Sequence, residues 1–200
     1  MKVCICGGTN PGTNPKWLNF AEDFGQRLCD NNIDMVWGGN AHGVLSHIHA
    51  KYQQNQKKNT LVLPRTYEKD LESMEMEKTD KVIKANRVSE RTQKMYSLAD
   101  VVVFLPGGVG TLYEFWSALE YKRACEFNID IILFNHKNFF KHQLAHLDFI
   151  EENGFTKVGN GGAPYTMELA DLFTVATTTE EVITKLVAIR NEKTERSGVN

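Results

Sequence analysis

Val101-Val102-Val103-Phe104-Leu105-Pro106-Gly107-Gly108-Val109-Gly110-Thr111-Leu112-Tyr113-Glu114 is the stretch from which the fold can be read. Its opening run is apolar and β-branched, the signature of a buried strand. A helical pattern follows the glycines. A strand, a glycine turn and a helix start in succession make a cradle for phosphate. Glycines let the backbone approach an anion closely, and the free N–H groups of the first helical turn point at it. The spacing is neither the GxGxxG of dinucleotide sites nor a Walker loop, because no Gly-Lys-Ser/Thr follows. Glu114 lies three residues past Thr111, about one helical turn, so its carboxylate shares a face with the cradle.

Outward from this stretch, the chain alternates strand and helix patterns. Lys2–Cys6 reads as a strand ending in Gly7-Gly8-Thr9. The spacing of Trp17, Phe20, Phe24 and Leu28 predicts a helix over 16–31 whose apolar stripe faces a sheet. Asp34–Trp37 is a strand closed by Gly38-Gly39-Asn40, and a helix is expected over 41–55. Thr60–Leu63 is a strand ending at Pro64. Glu68–Asp80 is charged and reads as either a mobile lid or a short helix, with Met74 and Met76 read as core residues in preference to a platform for a base. Lys81–Ala85 is a strand and Ser89–Leu98 a helix. A helix over 113–126, a strand over 129–134 and a helix over 139–153 follow the glycine cradle. The last helix carries Phe140, Leu144, Leu147 and Ile150 on one face. Lys157–Tyr165 is a loop, Leu172–Ala176 a strand and Thr179–Arg190 a helix with Thr179 as its N-cap. The alternation predicts an α/β fold: a Rossmann-like, doubly wound parallel sheet with helices on both faces. A single domain is expected over 1–190, with 191–200 a flexible tail. In such sheets ligands bind beyond the carboxyl ends of the strands. The turns Gly7-Gly8, Gly38-Gly39 and Gly107-Gly108 all follow strands, and their convergence at one sheet edge marks a site.

The bulk numbers narrow the function classes. A chain of 200 residues suits one α/β core, and 42% hydrophobic with 24% charged residues is ordinary for a globular protein. A formal net charge of -2 provides no basic field for nucleic acid, so no nucleic-acid partner is expected. No apolar run approaches the ~20 residues needed to span a bilayer, and the first residues read directly as a strand, so no signal peptide is expected. A cytoplasmic protein without a membrane partner is expected. Cys4, Cys6, Cys29 and Cys125 read as reduced thiols packed in the core, because a lone C-x-C is a poor zinc signal. His42 reads as solvated or capping, and His136, His142 and His146, without partners at metal spacing, as surface or packing residues. No metal and no cofactor are expected.

The motif Pro-Gly-Gly-x-Gly-Thr-x-x-Glu over 106–114, with Arg91 fifteen residues before the proline, resembles the Lonely Guy family of cytokinin-activating phosphoribohydrolases, often labelled lysine decarboxylases. Cys6-Gly7-Gly8-Thr9 resembles that family's Cys-Gly-Ser-Ser turn. Val36-Trp37-Gly38-Gly39-Asn40-Ala41-His42-Gly43 resembles its Tyr-Gly-Gly-Gly-x-x-Gly, and Leu61-Val62-Leu63-Pro64-Arg65 its Val-Ile-Pro-Lys. The resemblance implies hydrolysis of the N-glycosidic bond of a nucleoside 5′-monophosphate to free base and ribose 5-phosphate, and it implies a homodimer. It makes Arg91 and Glu114 the catalytic pair. Gly107, Gly108, Gly110 and Thr111 become phosphate-binding, and Gly7, Gly8, Thr9, Gly38, Gly39, Thr92 and Val109 are read as substrate-binding. The chain departs from the family pattern at Asn40, Thr92, Tyr113, Glu120 and Tyr121, positions that can shape base preference. The apolar helix around Phe115, Trp116 and Tyr121 offers more apolar area than one sheet face needs, which suits a dimer interface.

The proposed chemistry fits the residue types. Breaking an N-glycosidic bond builds positive charge on the ribose and negative charge on the leaving base. A carboxylate at Glu114 can stabilise the cationic centre, hold the ribose hydroxyls or orient water. The Arg91 guanidinium is a fixed cation with a planar donor fork, suited to holding the substrate and unsuited to giving up a proton. A non-catalytic nucleotide sensor or carrier of the same fold is the alternative, although a pure binder has no need of a carboxylate beneath the sugar. A lysine decarboxylase would need pyridoxal phosphate on a lysine, and Lys94 has no sequence context for that.

Overall fold

The computed structural model describes residues 1–39, 42–67, 69, 80–155 and 168–197. The expected lid or helix over 68–80 with Met74 and Met76, the loop over 157–165, and Asn40 lie outside them, apart from Lys69 and Asp80. Among the described residues the strands are β1 (Lys2–Cys6), β2 (Asp34–Trp37), β3 (Asn59–Pro64), β4 (Asp80–Ala85), β5 (Val101–Phe104), β6 (Asp130–Phe134) and β7 (Thr174–Ala176). The helices are α1 (Ala21–Asp30), α2 (Val44–Gln54), α3 (Val88–Ser97), α4 (Val109–Arg123), α5 (Lys141–Glu152), the single turn α6 (Leu169–Leu172) and α7 (Thr179–Ser197).

The strands form one parallel sheet in the order β4-β3-β2-β1-β5-β6-β7. The chain winds outward from β1 to one edge and then, from β5, to the other. Two cores result, as a doubly wound sheet requires. Val3, Ile5, Phe24, Leu28, Ile48 and Leu186 fill one face beneath α1, α2 and α7. Cys4, Cys6, Met95, Phe115, Ala118 and Leu147 fill the other beneath α3, α4 and α5. The period-two alternation of β1 sends neighbouring residues to opposite cores.

Three local expectations are corrected. The helix expected from Lys16 is divided: Pro15–Trp17 is a separate 3-10 turn capped by the Asn14 side chain, and α1 begins only at Ala21. Trp17 therefore leaves the sheet-facing stripe and packs on Phe139, with ring centroids 5.1 Å apart. The last helix passes Arg190 and runs to Ser197, tied down by Arg190 donating to the Asn31 carbonyl at 2.7 Å and Lys193 to the Asp100 carbonyl at 2.8 Å. Its cap is Thr178, whose hydroxyl accepts from the Glu181 N–H at 3.1 Å, while Thr179 starts the helix. Cys4, Cys6 and Cys29 are buried, but Cys125 is exposed just past α4 with φ 56°, so it is not a core thiol. No helix among the described residues is long and apolar enough to cross a membrane.

Candidate active site

The order of strands reverses between β1 and β5, and the loops leaving those two strands part there. The site forms at that point because the three glycine turns are stitched together through Gly8. Its N–H donates to the Pro106 carbonyl at 2.9 Å, and its carbonyl accepts from the Val44 N–H at 3.1 Å. Two glycines are required by this closeness. A Cβ on Gly107 would lie 2.8 Å from the Gly8 nitrogen. Gly43 has φ +78°, and a Cβ there would lie 2.4 Å from the Gly8 carbonyl oxygen.

Helix α4 begins at Val109, four residues before its expected start, with Gly108 at the cap and no side chain satisfying its first N–H groups. Val109, Gly110 and Thr111 therefore form the first turn, where free donors and the positive end of the helix dipole meet. The residue at the cap is Gly108, and Thr111 sits inside the helix with its hydroxyl turned back over Gly107. Glu114, one turn on, is buried on the same inward face as Thr111.

Arg91 reaches Glu114 from α3. Its Nη2 lies 2.5 Å from Glu114 Oε1, with side-chain exposures of 15% and 7%. The guanidinium rests against Gly38, where a Cβ would meet Nη1 at 3.1 Å. The Tyr96 hydroxyl donates to the Glu114 backbone carbonyl at 2.6 Å, fixing α3 against α4. Burial raises the Glu114 carboxyl above the usual carboxylate range, and Arg91, followed by the Cys6 thiol, pulls it partly back. Arg91 Nε is a buried donor with no hydrogen-bond partner among the described residues, a group left free for a ligand.

These residues surround a cavity of about 350 Å³, within the range of small-ligand sites. Of the residues singled out from sequence, Gly7, Thr9, Gly38, Gly39, Arg91, Gly108, Val109, Gly110, Thr111 and Glu114 line it. Gly8 and Gly107 lie beneath as the seam between turns. Thr92 does not join them: it is fully buried, and its hydroxyl donates to the Val88 carbonyl at 3.1 Å. One residue along a helix is a 100° rotation, so Thr92 faces the core when Arg91 faces the cavity. Tyr113, singled out as a departure able to shape base preference, also lines the cavity, whereas sequence reading missed Ile5, Cys6, Leu45, Leu63, Tyr67, Val88 and Met95 on its wall. Cys6 had a signal, since it adjoins a motif glycine; the others were indistinguishable from core.

A family model described as "Possible lysine decarboxylase" matches residues 35–186. Curated proteins it resembles include a probable cytokinin riboside 5′-monophosphate phosphoribohydrolase of Oryza sativa subsp. japonica, 24% identical over 92% of this chain and 75% of that protein. Another is a cytokinin riboside 5′-monophosphate phosphoribohydrolase of Arabidopsis thaliana, 24% identical over 77% of this chain and 71% of that protein. The chain belongs to the Lonely Guy family. Solved structures share the fold seen here. The molybdenum cofactor binding protein of Rippkaea orientalis has a TM-score of 0.65 at 18% identity, over 94% of this chain and 96% of that one. The molybdenum cofactor carrier protein of Chlamydomonas reinhardtii has a TM-score of 0.64 at 18% identity, over 95% and 98%. The decarboxylase description gains nothing from Lys94: its ammonium donates to the Lys84 carbonyl at 3.0 Å, pairs with Glu90 at 2.7 Å and does not line the cavity.

Proposed function

We propose that this protein hydrolyses the N-glycosidic bond of a nucleoside 5′-monophosphate, AMP or an N6-substituted AMP such as isopentenyladenosine monophosphate. The products are free base and ribose 5-phosphate, in cytokinin activation or nucleotide salvage. The buried Arg91–Glu114 pair on the wall of a cavity that also holds an anion cradle carries this reading. The cradle at Gly108–Thr111 takes the 5′-phosphate, which sets the ribose over Glu114. As the bond to the base lengthens, the Glu114 carboxylate stabilises the positive charge growing on the sugar, in a buried setting where that attraction is strong. Arg91 grips the nucleotide and balances charge on the departing base; the proton that base acquires comes from another source, because a guanidinium holds its protons. We further propose that the protein works as a homodimer in the cytoplasm.

The deciding assay incubates the protein with AMP, isopentenyl-AMP, CMP and GMP and separates the products by chromatography. Free base and ribose 5-phosphate are expected from an adenine nucleotide, with a loss of roughly 100-fold or more in Glu114→Gln. Tight AMP binding with no free base from any of the four would overturn the hydrolase reading and favour a nucleotide sensor or carrier.

A further inference from the structure

We propose that Tyr96 is a positioning residue for Glu114: its buried hydroxyl, bonded to the Glu114 backbone carbonyl, sets α4 against α3 at the height where Arg91 meets the catalytic carboxylate. Tyr96 thereby acts in the proposed hydrolysis, and its role rests on that reading of Glu114.

Two bonds from α3 converge on this one residue of α4. Arg91 Nη2 meets the Glu114 side chain at 2.5 Å, and the Tyr96 hydroxyl, about one and a half turns further along α3, donates to the Glu114 carbonyl at 2.6 Å. The Tyr96 ring is buried, with Tyr121 and Phe127 edge-on at centroid distances of 6.2 Å and 6.3 Å. Tyr121 belongs to α4, so the ring and its hydroxyl hold the same helix at two points.

The two bonds constrain the helices differently. Arg91 and Glu114 are long side chains whose torsions can follow a displaced partner, so their ion pair alone tolerates a shift between helices. Tyr96 is a rigid ring on a short stem and cannot follow. Inside a helix the Glu114 carbonyl already accepts from the N–H four residues on, and its second lone pair is left for the tyrosine. A one-residue slide of α4, about 1.5 Å, would draw the carbonyl away from the hydroxyl, and a hydroxyl left unpaired at this depth is destabilising. The bond therefore fixes the axial position of α4, and with it the place of the carboxylate relative to Arg91. Misplacing a catalytic group by about 1 Å can cost on the order of 100-fold in rate.

The test is Tyr96→Phe, which removes one oxygen and keeps the ring. Tyr52→Phe is the matched control, because the Tyr52 hydroxyl makes the same kind of buried bond, to the Ile33 carbonyl at 2.8 Å, away from the cavity. Each variant is expected to lower Tm by about 2–4 °C, the loss of one buried hydrogen bond. Only Tyr96→Phe lowers kcat for the best nucleotide, by about tenfold, with KM changed by no more than about twofold because the cradle travels with α4. A second readout needs no turnover: the titration of the Glu114 carboxyl by carbon NMR in glutamate-labelled protein, assigned with Glu114→Gln. Burial raises this carboxyl and Arg91 draws it back, so a loosened ion pair moves the titration further up in Tyr96→Phe and leaves it in place in Tyr52→Phe. A Tyr96→Phe enzyme with the kcat of Tyr52→Phe, or with the wild-type Glu114 titration, makes Tyr96 a packing residue and overturns the proposal. If wild type cleaves no nucleotide, the hydrolase reading fails by itself, and the NMR titration alone decides whether Tyr96 sets the Arg91–Glu114 contact.

Discussion

At the residue scale, Glu114 is a carboxylate held where its charge is disfavoured. Burial raises its carboxyl despite Arg91 and Cys6, so the folded protein holds that proton more tightly than the unfolded chain does. A raised carboxyl removes stability as pH climbs through and above the unfolded value near ~4.3. The Tm of Glu114→Gln relative to wild type is therefore expected to rise between pH 4 and pH 7.5, while turnover disappears. Scanning calorimetry across pH checks this; a difference that stays constant with pH would show that Glu114 does not titrate with folding. Two glycines near the site separate packing from binding. Gly43→Ala forces a methyl against the Gly8 carbonyl at a positive φ and is expected to cost about 1–3 kcal/mol in urea denaturation. Gly108 has open space where its Cβ would be, so Gly108→Ala should change stability by only about 0.5 kcal/mol or less. Its methyl enters the cavity, and the AMP affinity measured by calorimetry should fall about tenfold, a distinction lost if both variants simply unfold.

At the element scale, a buried polar seam beside Trp37 joins β2, α2, β3 and β4. His49 is buried, stacks on Trp37 with centroids 4.6 Å apart, and sets Nε2 3.3 Å from the Asp80 carboxylate. Asn59 donates to Asp80 and accepts from the Trp37 indole N–H at 3.3 Å. Burial lowers the His49 pKa more than Asp80 raises it. The unfolded chain therefore binds the proton better. The contribution is complete above the unfolded value near ~6.5 and is lost as pH falls below it. The loss of denaturation free energy between pH 7.5 and 5.5 should be smaller in His49→Gln than in wild type; equal losses would show that His49 does not titrate with folding. Strand and helix types were legible in sequence here because apolar periodicity sets them. Their ends were not. The cap at Thr178, the early start of α4 and the extension of α7 all depend on hydrogen bonds whose partners the local pattern does not reveal.

At the scale of the whole molecule, α4 carries apolar residues around most of its circumference. Its inward face holds Phe115, Ala118 and Leu119. Trp116 turns outward toward Leu147, Ile150 and Phe155, around a second cavity of about 220 Å³. Phe149 and Phe155, among the described residues, are 57% and 81% exposed. A surface of this kind on a helix that also lines the active-site cavity suits a second copy of the chain. Light scattering at micromolar concentration should report twice the 22.7 kDa chain mass, and Trp116→Glu should shift it toward monomer. A monomeric wild type would refute the dimer.

The sequence by itself determined the parallel sheet, the two apolar faces and the three glycine turns, because each is encoded by periodicity or by a backbone conformation that few residues accept. It also marked Arg91 and Glu114 as partners through a motif. What only the tertiary structure decided is which side chains meet. Arg91 and Glu114 sit on different helices, and their 2.5 Å contact forms where Tyr96 ties α3 to α4. Thr92, adjacent to Arg91 in the chain, turns into the core, and Cys6 joins Glu114 on the cavity wall from a third element. Periodicity specifies a direction about one axis, whereas a site is an intersection of several axes, and their placement is set by the packing of the whole sheet.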